Sequence, residues 1–186
     1  NNGLLELKNS SHASTIFLNT SGDSYLNGGN VGIGVTPDTF SSGYTALQLN
    51  GYAYNIAHSG GDHYITNNAY VNGGWKYGQT STAQKVELAS GKISLMTAAS
   101  GSADAAITWN TGLVQDSTGN IGIGVTPESD WYTGYHMIQL AEGAVVGGYT
   151  DNSTYLGSNW KDDANNKYIN TDEASVYRQT AGKHIF

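Results

Sequence analysis

The sequence predicts an all-β chain assembled from a repeated unit. Three observations carry that expectation. Apolar residues recur at every second position in short runs such as "NVGIGVT", "TALQLNG" and "QKVELASGKISLM", and period-two alternation is the signature of strands. Gly and Asn punctuate the runs, with 25 Gly but only 2 Pro in 186 residues. The nonapeptide "GNVGIGVTP" at 29–37 returns as "GNIGIGVTP" at 119–127, and such self-similarity marks repeat architectures. No window of helical length keeps an apolar face at i, i+3, i+4 and i+7.

The elements follow in chain order. "ASTIFLNTSG" reads as a strand closed by an Asn/Thr/Gly turn. In "NVGIGVT" the alternation puts Val31, Ile33 and Val35 on one face and Gly32 and Gly34 on the other. Glycine there lets another backbone or an aromatic ring approach closely. "DTFSSGY" and its later counterpart "ESDWYTGY" suit a turn or a single helical turn. "TALQLNG" is a strand, "QKVELASGKISLM" a hairpin turning at Ser90-Gly91, and "DAAITWNTG" a strand closed by its own Asn/Thr/Gly turn.

The repeat can be followed to the end of the chain. Gly29 matches Gly119, and after one inserted residue "GYTALQL" (43–49) matches "GYHMIQL" (134–140) at an offset of 91. That offset then holds without a gap. Tyr64 falls on Tyr155, Asn68 on Asn159, Tyr77 on Tyr168 and Gly91-Lys92 on Gly182-Lys183. "TIFLNTSG" (15–22) also resembles "AITWNTG" (106–112). The expected organisation is therefore the tail of a preceding repeat at 1–28, a complete unit at 29–118 and an incomplete one at 119–186. A chain that begins without Met and ends inside a repeat reads as a window on a longer array.

Composition narrows the functions. Charged residues make up 12% against about 25% in ordinary domains. The net charge of −7 and the absence of any basic run speak against nucleic-acid binding, which needs a clustered basic footprint. With no Cys there is no disulfide framework, thiolate metal site or thiol nucleophile. No apolar run approaches the roughly 20 residues that span a bilayer. Leu, Ile, Val and Phe are thinly spread, so association of several chains would supply burial that one copy lacks.

The motifs with a chemical reading are few. The glycines of "GNIGIGVTP" sit inside a strand with Pro37 or Pro127 after them, whereas a phosphate loop leaves a strand and enters a helix. "DDANNKYINTDE" places Asp162 and Glu173 as the ends of a calcium loop, but its third and sixth positions are Ala164 and Lys167, where an oxygen ligand and a glycine are needed. A solvated acidic turn is the simpler reading. Of His12, His58, His63, His136 and His184, only His58 and His63 cluster, beside Asp62, and neither recurs in the second copy. Surface or aromatic-stacking roles fit them better than metal ligation. Asp62, Glu87, Asp104 and Asp116 are the acids that a glycosidase pair would draw on. No nucleophile–base constellation stands out, and the only acid shared in kind by both copies is Asp38/Glu128, after the repeated Pro. The expectation is no catalytic residue, no metal and no cofactor.

The aromatic residues carry the rest. Tyr64/Tyr155 and Tyr77/Tyr168 recur and are expected to pack within the unit. Trp75, Tyr70, Trp131 and Trp160 do not recur at matched positions. Rings of this kind either fill a Leu-poor core or stack on sugars, and these four are the candidate glycan contacts.

With the repeat laid out, "GNVGIGVTP" and "GNIGIGVTP", together with "YITNNAYVNGGWKYGQTSTAQKVELASGKISLMTAASGSADAAITW", resemble the recurring units of bacteriophage tail fibre proteins. The resemblance covers nearly the whole chain. It implies a trimeric β-structured shaft, with strands shared or wrapped between three chains and Gly32, Gly34, Gly122 and Gly124 as packing positions. Many such fibres end in an endosialidase-type intramolecular chaperone domain, which cannot be placed on this sequence. The implied setting is the virion and the extracellular space. The implied partners are two further copies of the chain, other tail proteins and a host surface glycan or receptor, with no nucleic acid and no membrane insertion. Three wrapped copies would also close the strand edges that a lone chain leaves exposed. Two other readings share these features, a tailspike-type glycan-binding or glycan-cleaving module and a trimeric bacterial surface adhesin.

Overall fold

The computed structural model describes residues 4–186. Residues 1–3 of the expected N-terminal tail lie outside the described residues. The architecture is all-β: among the described residues there is no helix. A separate three-stranded sheet comes first, from β1 (Leu4–Lys8), β2 (Ser14–Asn19) and β3 (Tyr25–Leu26). As expected from the sequence, β2 ends at an Asn turn, where Asn19 Oδ1 accepts the Ser21 N–H at 3.1 Å.

The first complete unit supplies β4 (Val31–Ile33), β5 (Tyr44–Leu49), β6 (Ala53–His58), β7 (His63–Asn67), β8 (Ala69–Val71), β9 (Trp75–Tyr77), β10 (Ser81–Ala89), β11 (Lys92–Gly101) and β12 (Asn110–Gln115). The second supplies β13 (Ile121–Ile123), β14 (Tyr135–Leu140), β15 (Ala144–Tyr149), β16 (Ser153–Ser158), β17 (Trp160–Lys161), β18 (Lys167–Tyr168), β19 (Ser175–Thr180) and β20 (Lys183–Ile185). Thirteen of these strands form one mixed sheet, ordered β20-β19-β16-β15-β14-β13-β12-β11-β10-β7-β6-β5-β4. The hairpins β8–β9 and β17–β18 stand apart from it.

Strand pairing recurs with the sequence offset. β4 runs parallel to β5 with Val31 opposite Leu47, and β13 runs parallel to β14 with Ile121 opposite Ile138. In each copy the chain then leaves the sheet as a small hairpin and returns beside the strand it left, β7 to β10 and β16 to β19. The hairpins roof one face of the sheet. Beneath the first lie Tyr54, Ile56 and Tyr64, and beneath the second Met137, Val145 and Tyr155.

Two expectations are corrected. The strand read across "NVGIGVT" spans only three residues, because Gly34 and Gly124 adopt φ +75° and turn the chain away. Val35 therefore lies beyond the strand. The close approach at Gly32 and Gly122 comes from that turn itself, since a Cβ at either position would sit 2.1 Å from the carbonyl oxygen of Val35 or Val125. The strand read across "DAAITWNTG" is displaced as well. Residues 104–107 hydrogen-bond along β9, with the Ile107 N–H donated to Trp75 O at 3.0 Å and the Asp104 N–H to Tyr77 O at 2.9 Å. With that backbone engaged, Asn110, Thr111 and Gly112 open β12 instead of closing a strand.

Among the described residues, nothing roofs the opposite face of the sheet. Register aligns Val31, Leu47, Asn55, Ile65, Val86, Leu95, Leu113, Ile123 and Leu140 in one row across nine strands. A second row carries Ile121, Ile138, Val146 and Leu156. Ile65, Leu95, Ile123 and Leu156 are each about half exposed. The five charged residues in the strands of this sheet, Lys85, Glu87, Lys92, Arg178 and Lys183, all fall by register on the roofed side. An ordinary water-facing sheet surface is polar, so the distribution here is inverted.

Candidate functional site

The roofed side carries every aromatic candidate. Tyr64 and Tyr155 are buried at matching places, and a tryptophan packs on each. In the first copy it is Trp75, edge-on to Tyr64 with centroids 5.0 Å apart. In the second it is Trp160, stacked on Tyr155 at 5.2 Å and 9°. Those tryptophans come from non-equivalent positions, since Trp75 aligns with Asn166 and Trp160 with Ala69. Tyr77 is buried against Gly101 and donates its hydroxyl to Ala99 O at 2.6 Å. Its partner in the repeat, Tyr168, is expected to pack in the same way but is 63% exposed, with no counterpart of the Ala99 carbonyl or of Gly101 against it among the described residues.

Of the four rings considered for glycan contact, Tyr70 and Trp160 are buried and have no free face. Tyr70 donates to Asp104 Oδ1 at 2.6 Å, and Trp160 Nε1 donates to Asn166 Oδ1 at 2.9 Å. Trp75 and Trp131 are half-buried beside the cores. Trp75 also lies against the buried Lys85 ammonium at 4.6 Å, and Trp109, packed edge-on to Trp75, meets the same ammonium at 4.8 Å. The sequence had not singled out Lys85. Its burial is offset by these ring faces and by Glu87, which accepts from Nζ.

The acids have structural partners. Asp62 accepts from the Tyr64 hydroxyl at 3.2 Å, and Asp104 from Tyr70. Asp116 accepts the backbone N–H groups of Thr118 and Asn120, both at 2.9 Å. Burial alone would raise the Asp116 carboxyl, but these bonds outweigh it and hold the group below the usual range. Asp38 takes the Tyr54 hydroxyl at 2.6 Å, while its own N–H is donated to Gln48 Oε1 at 2.7 Å. His58 stacks on Tyr44 at 4.4 Å, and Tyr149 occupies the matching place on Tyr135 at 4.7 Å. Among the described residues, no three His, Asp or Glu side chains converge on a point that could hold a metal ion. Asp162 and Glu173 are separately engaged, Asp162 by the Tyr135 hydroxyl at 2.9 Å and Glu173 through its carbonyl by Asn159 Nδ2 at 3.2 Å.

Buried and, at Asn30, half-buried amides hold the copies in the same shape. Asn30 and Asn120 each accept a strand N–H, from Ala46 at 2.9 Å and Met137 at 3.0 Å. Gln48 and Gln139 accept the N–H of the acid after the repeated Pro. Asn68 and Asn159, at φ +56° and +52°, clamp the return of each hairpin. Asn68 takes the Gln79 N–H at 2.7 Å and donates to the carbonyls of Gln79 and Thr82; Asn159 takes the Asn170 N–H at 2.6 Å and donates to Asn170, Asp172 and Glu173. Their identity in both copies was the signal that could have found them.

An aromatic depression on this side lies in the second copy. It measures about 340 Å³ and is lined by Tyr132, Tyr135, Tyr149, Tyr155, Asp162 and Arg178, with Ala164 and Asn166 at its edge. Arg178 lies over the Tyr155 ring at 5.3 Å and pairs with Asp151 at 2.8 Å. Burial, with hydrogen bonds to Tyr155 and Asp162, pushes the Tyr135 hydroxyl far above its usual range. Tyr135 therefore stays a neutral donor. Comparison with family models, curated proteins and solved structures finds no match to this chain.

Proposed function

We propose that the chain is a structural, non-enzymatic segment of a bacteriophage tail fibre. In this reading it is part of a homotrimeric shaft on the virion that contributes to host-cell attachment, with other tail proteins and a host surface glycan as its further partners. The observation that carries the reading is the uncharged, aliphatic face that runs through both copies of the unit. A contiguous apolar surface of this extent is a site of association. Because it crosses the repeat boundary without a break, it suits an interface that lengthens with repeat number. The structural partners of Asp62, Asp104 and Asp116 favour a non-enzymatic role over a carboxylate pair.

Light scattering on a sizing column tests it. The expected result is a concentration-independent mass three times the chain's 19.7 kDa. Leu95→Asp places a charge at the middle of the apolar row, where the side chain is already 46% exposed in the single chain. That variant is expected to stay folded and lose the trimer, because an unpaired charge cannot be buried in an apolar interface. A folded monomer in the parent protein overturns the reading.

A further inference from the structure

We infer that the tyrosine-lined depression of the second copy is a binding site for a neutral sugar ring. The inference deepens the attachment role proposed above and rests on it only in taking the opposite, aliphatic face as the covered one. Tyr135, Tyr149, Tyr155 and Arg178 all stand on the roofed side by register, so packing through the aliphatic face leaves the depression open.

Its chemistry is that of carbohydrate recognition. Tyr132 is 48% exposed and offers a ring face at the rim, while Tyr135 and Tyr149 form a tilted pair 4.7 Å apart. Asp162, Asn166 and Arg178 bring acceptors and donors to the same space. An aromatic body with a ring of polar groups matches a hexose, which has apolar C–H faces and an equatorial belt of hydroxyls. A second depression of about 340 Å³ shares Tyr132 and Tyr135 with the first and adds Thr118, Trp131 and His136. Trp131 Nε1 is buried with no acceptor among the described residues. Two adjoining spaces with a common tyrosine wall suit consecutive residues of a glycan.

The charges select a neutral ligand. Arg178, the cation that lines the depression, is already paired with Asp151 at 2.8 Å, and Asp162 adds a carboxylate. An anionic sugar would meet a surface with no spare positive charge.

Comparison of the copies points the same way. Position 166 is Asn where the first copy has Trp75, and position 178 is Arg where the first copy has Glu87. In the first copy that indole packs against Tyr64. In the second, the core tryptophan comes from position 160 and a small polar residue is left at the edge of the open depression.

Saturation-transfer NMR on the full chain tests the inference, with methyl glucoside, galactoside, mannoside and N-acetylglucosaminide as probes and methyl glucuronide as the charged control. Tyr132→Ala removes the exposed ring, and Asn166→Trp restores the indole of the first copy. Transfer from the parent protein to at least one neutral glycoside is expected, weakened about tenfold or more in each variant. Undiminished transfer in either variant, transfer to the glucuronide alone, or none at all overturns the site. Mass measured on the same samples separates the two proposals. A trimer that binds nothing overturns the site alone, whereas a monomer that binds overturns the shaft and leaves the site standing.

Discussion

In the first copy Ala46 faces Ile56 across the β5–β6 pair, and in the second Met137 faces Gly147 across β14–β15. The two positions have exchanged bulk. A Cβ at Gly147 would lie 2.1 Å from Met137 Sδ, so the glycine is there to admit the methionine. The same exchange recurs with the indoles, Ala69 with Trp75 against Trp160 with Asn166. It recurs again with the cation over the repeated tyrosine, Lys85 over Tyr64 at 5.7 Å and Arg178 over Tyr155 at 5.3 Å. Each swap moves bulk from one position to its neighbour, and cores tolerate such compensating changes better than uncompensated ones. The buried amides have not been exchanged at all. Volume can be supplied from several positions, but a hydrogen bond to a given backbone group must come from one place and one direction.

That contrast makes the amide clamps the most sensitive test. Asn159→Ala leaves the Asn170 N–H and three carbonyls without their partner and puts alanine at φ +52°. A loss of about 2–4 kcal/mol is expected in denaturant melts. Asn68→Ala should cost a similar amount in the first copy. A change below about 0.5 kcal/mol in either variant, the range of a neutral surface substitution, would break the distinction between fixed and exchangeable positions.

The bulk exchange should be smaller and reversible. Gly147→Ile alone, which introduces the residue of the first copy, is expected to destabilise by about 1–3 kcal/mol through overpacking. Adding Met137→Ala should recover most of that loss, because it recreates the Ala46–Ile56 pair. Absence of recovery in a double-mutant cycle would show that the two positions are not coupled.

Alkali should act on both cores. Burial and the neighbouring Asp38, Asp62, Asp104 and Asp162 raise the hydroxyls of Tyr54, Tyr64, Tyr70 and Tyr135, Tyr70 to about 12. Each phenol thus favours the folded state fully below the unfolded value of about 10 and loses that contribution as pH rises through the folded value. The melting temperature is expected to hold to about pH 10 and fall above it, together with the rise of phenolate absorbance. Asp116 works in the opposite direction. Its lowered carboxyl stabilises the fold above about pH 4, and that contribution is lost as pH falls through the folded value. The smallest effect is expected at the rim. His58→Tyr, which copies Tyr149, should move stability by no more than about 0.5 kcal/mol.

The sequence by itself determined the class, the alternating strands of "TALQLNG" and "QKVELASGKISLM", the Ser90-Gly91 hairpin and the offset at which the pairing recurs. Those features are local or self-similar. Ser90 and Gly91 take the left-handed values a two-residue turn needs, φ +52° and +71°, and alternation of side chains is a property of any single strand. What lies across a strand, and on which side a roof closes, is not local. "DAAITWNTG" has the pattern of a strand, yet its backbone is captured by β9, an element some thirty residues earlier in the chain. Trp160 and Tyr70 read as rings that either fill a Leu-poor core or stack on sugars, and the hairpins place both in the core. Only the tertiary structure put the charged residues of the sheet on the roofed side and left the aliphatic side bare, because register across thirteen strands sums choices that no single strand records. The open tyrosine depression arises in the same way, from one tryptophan moved across a hairpin that the sequence shows only as an alanine and an asparagine in unexpected places.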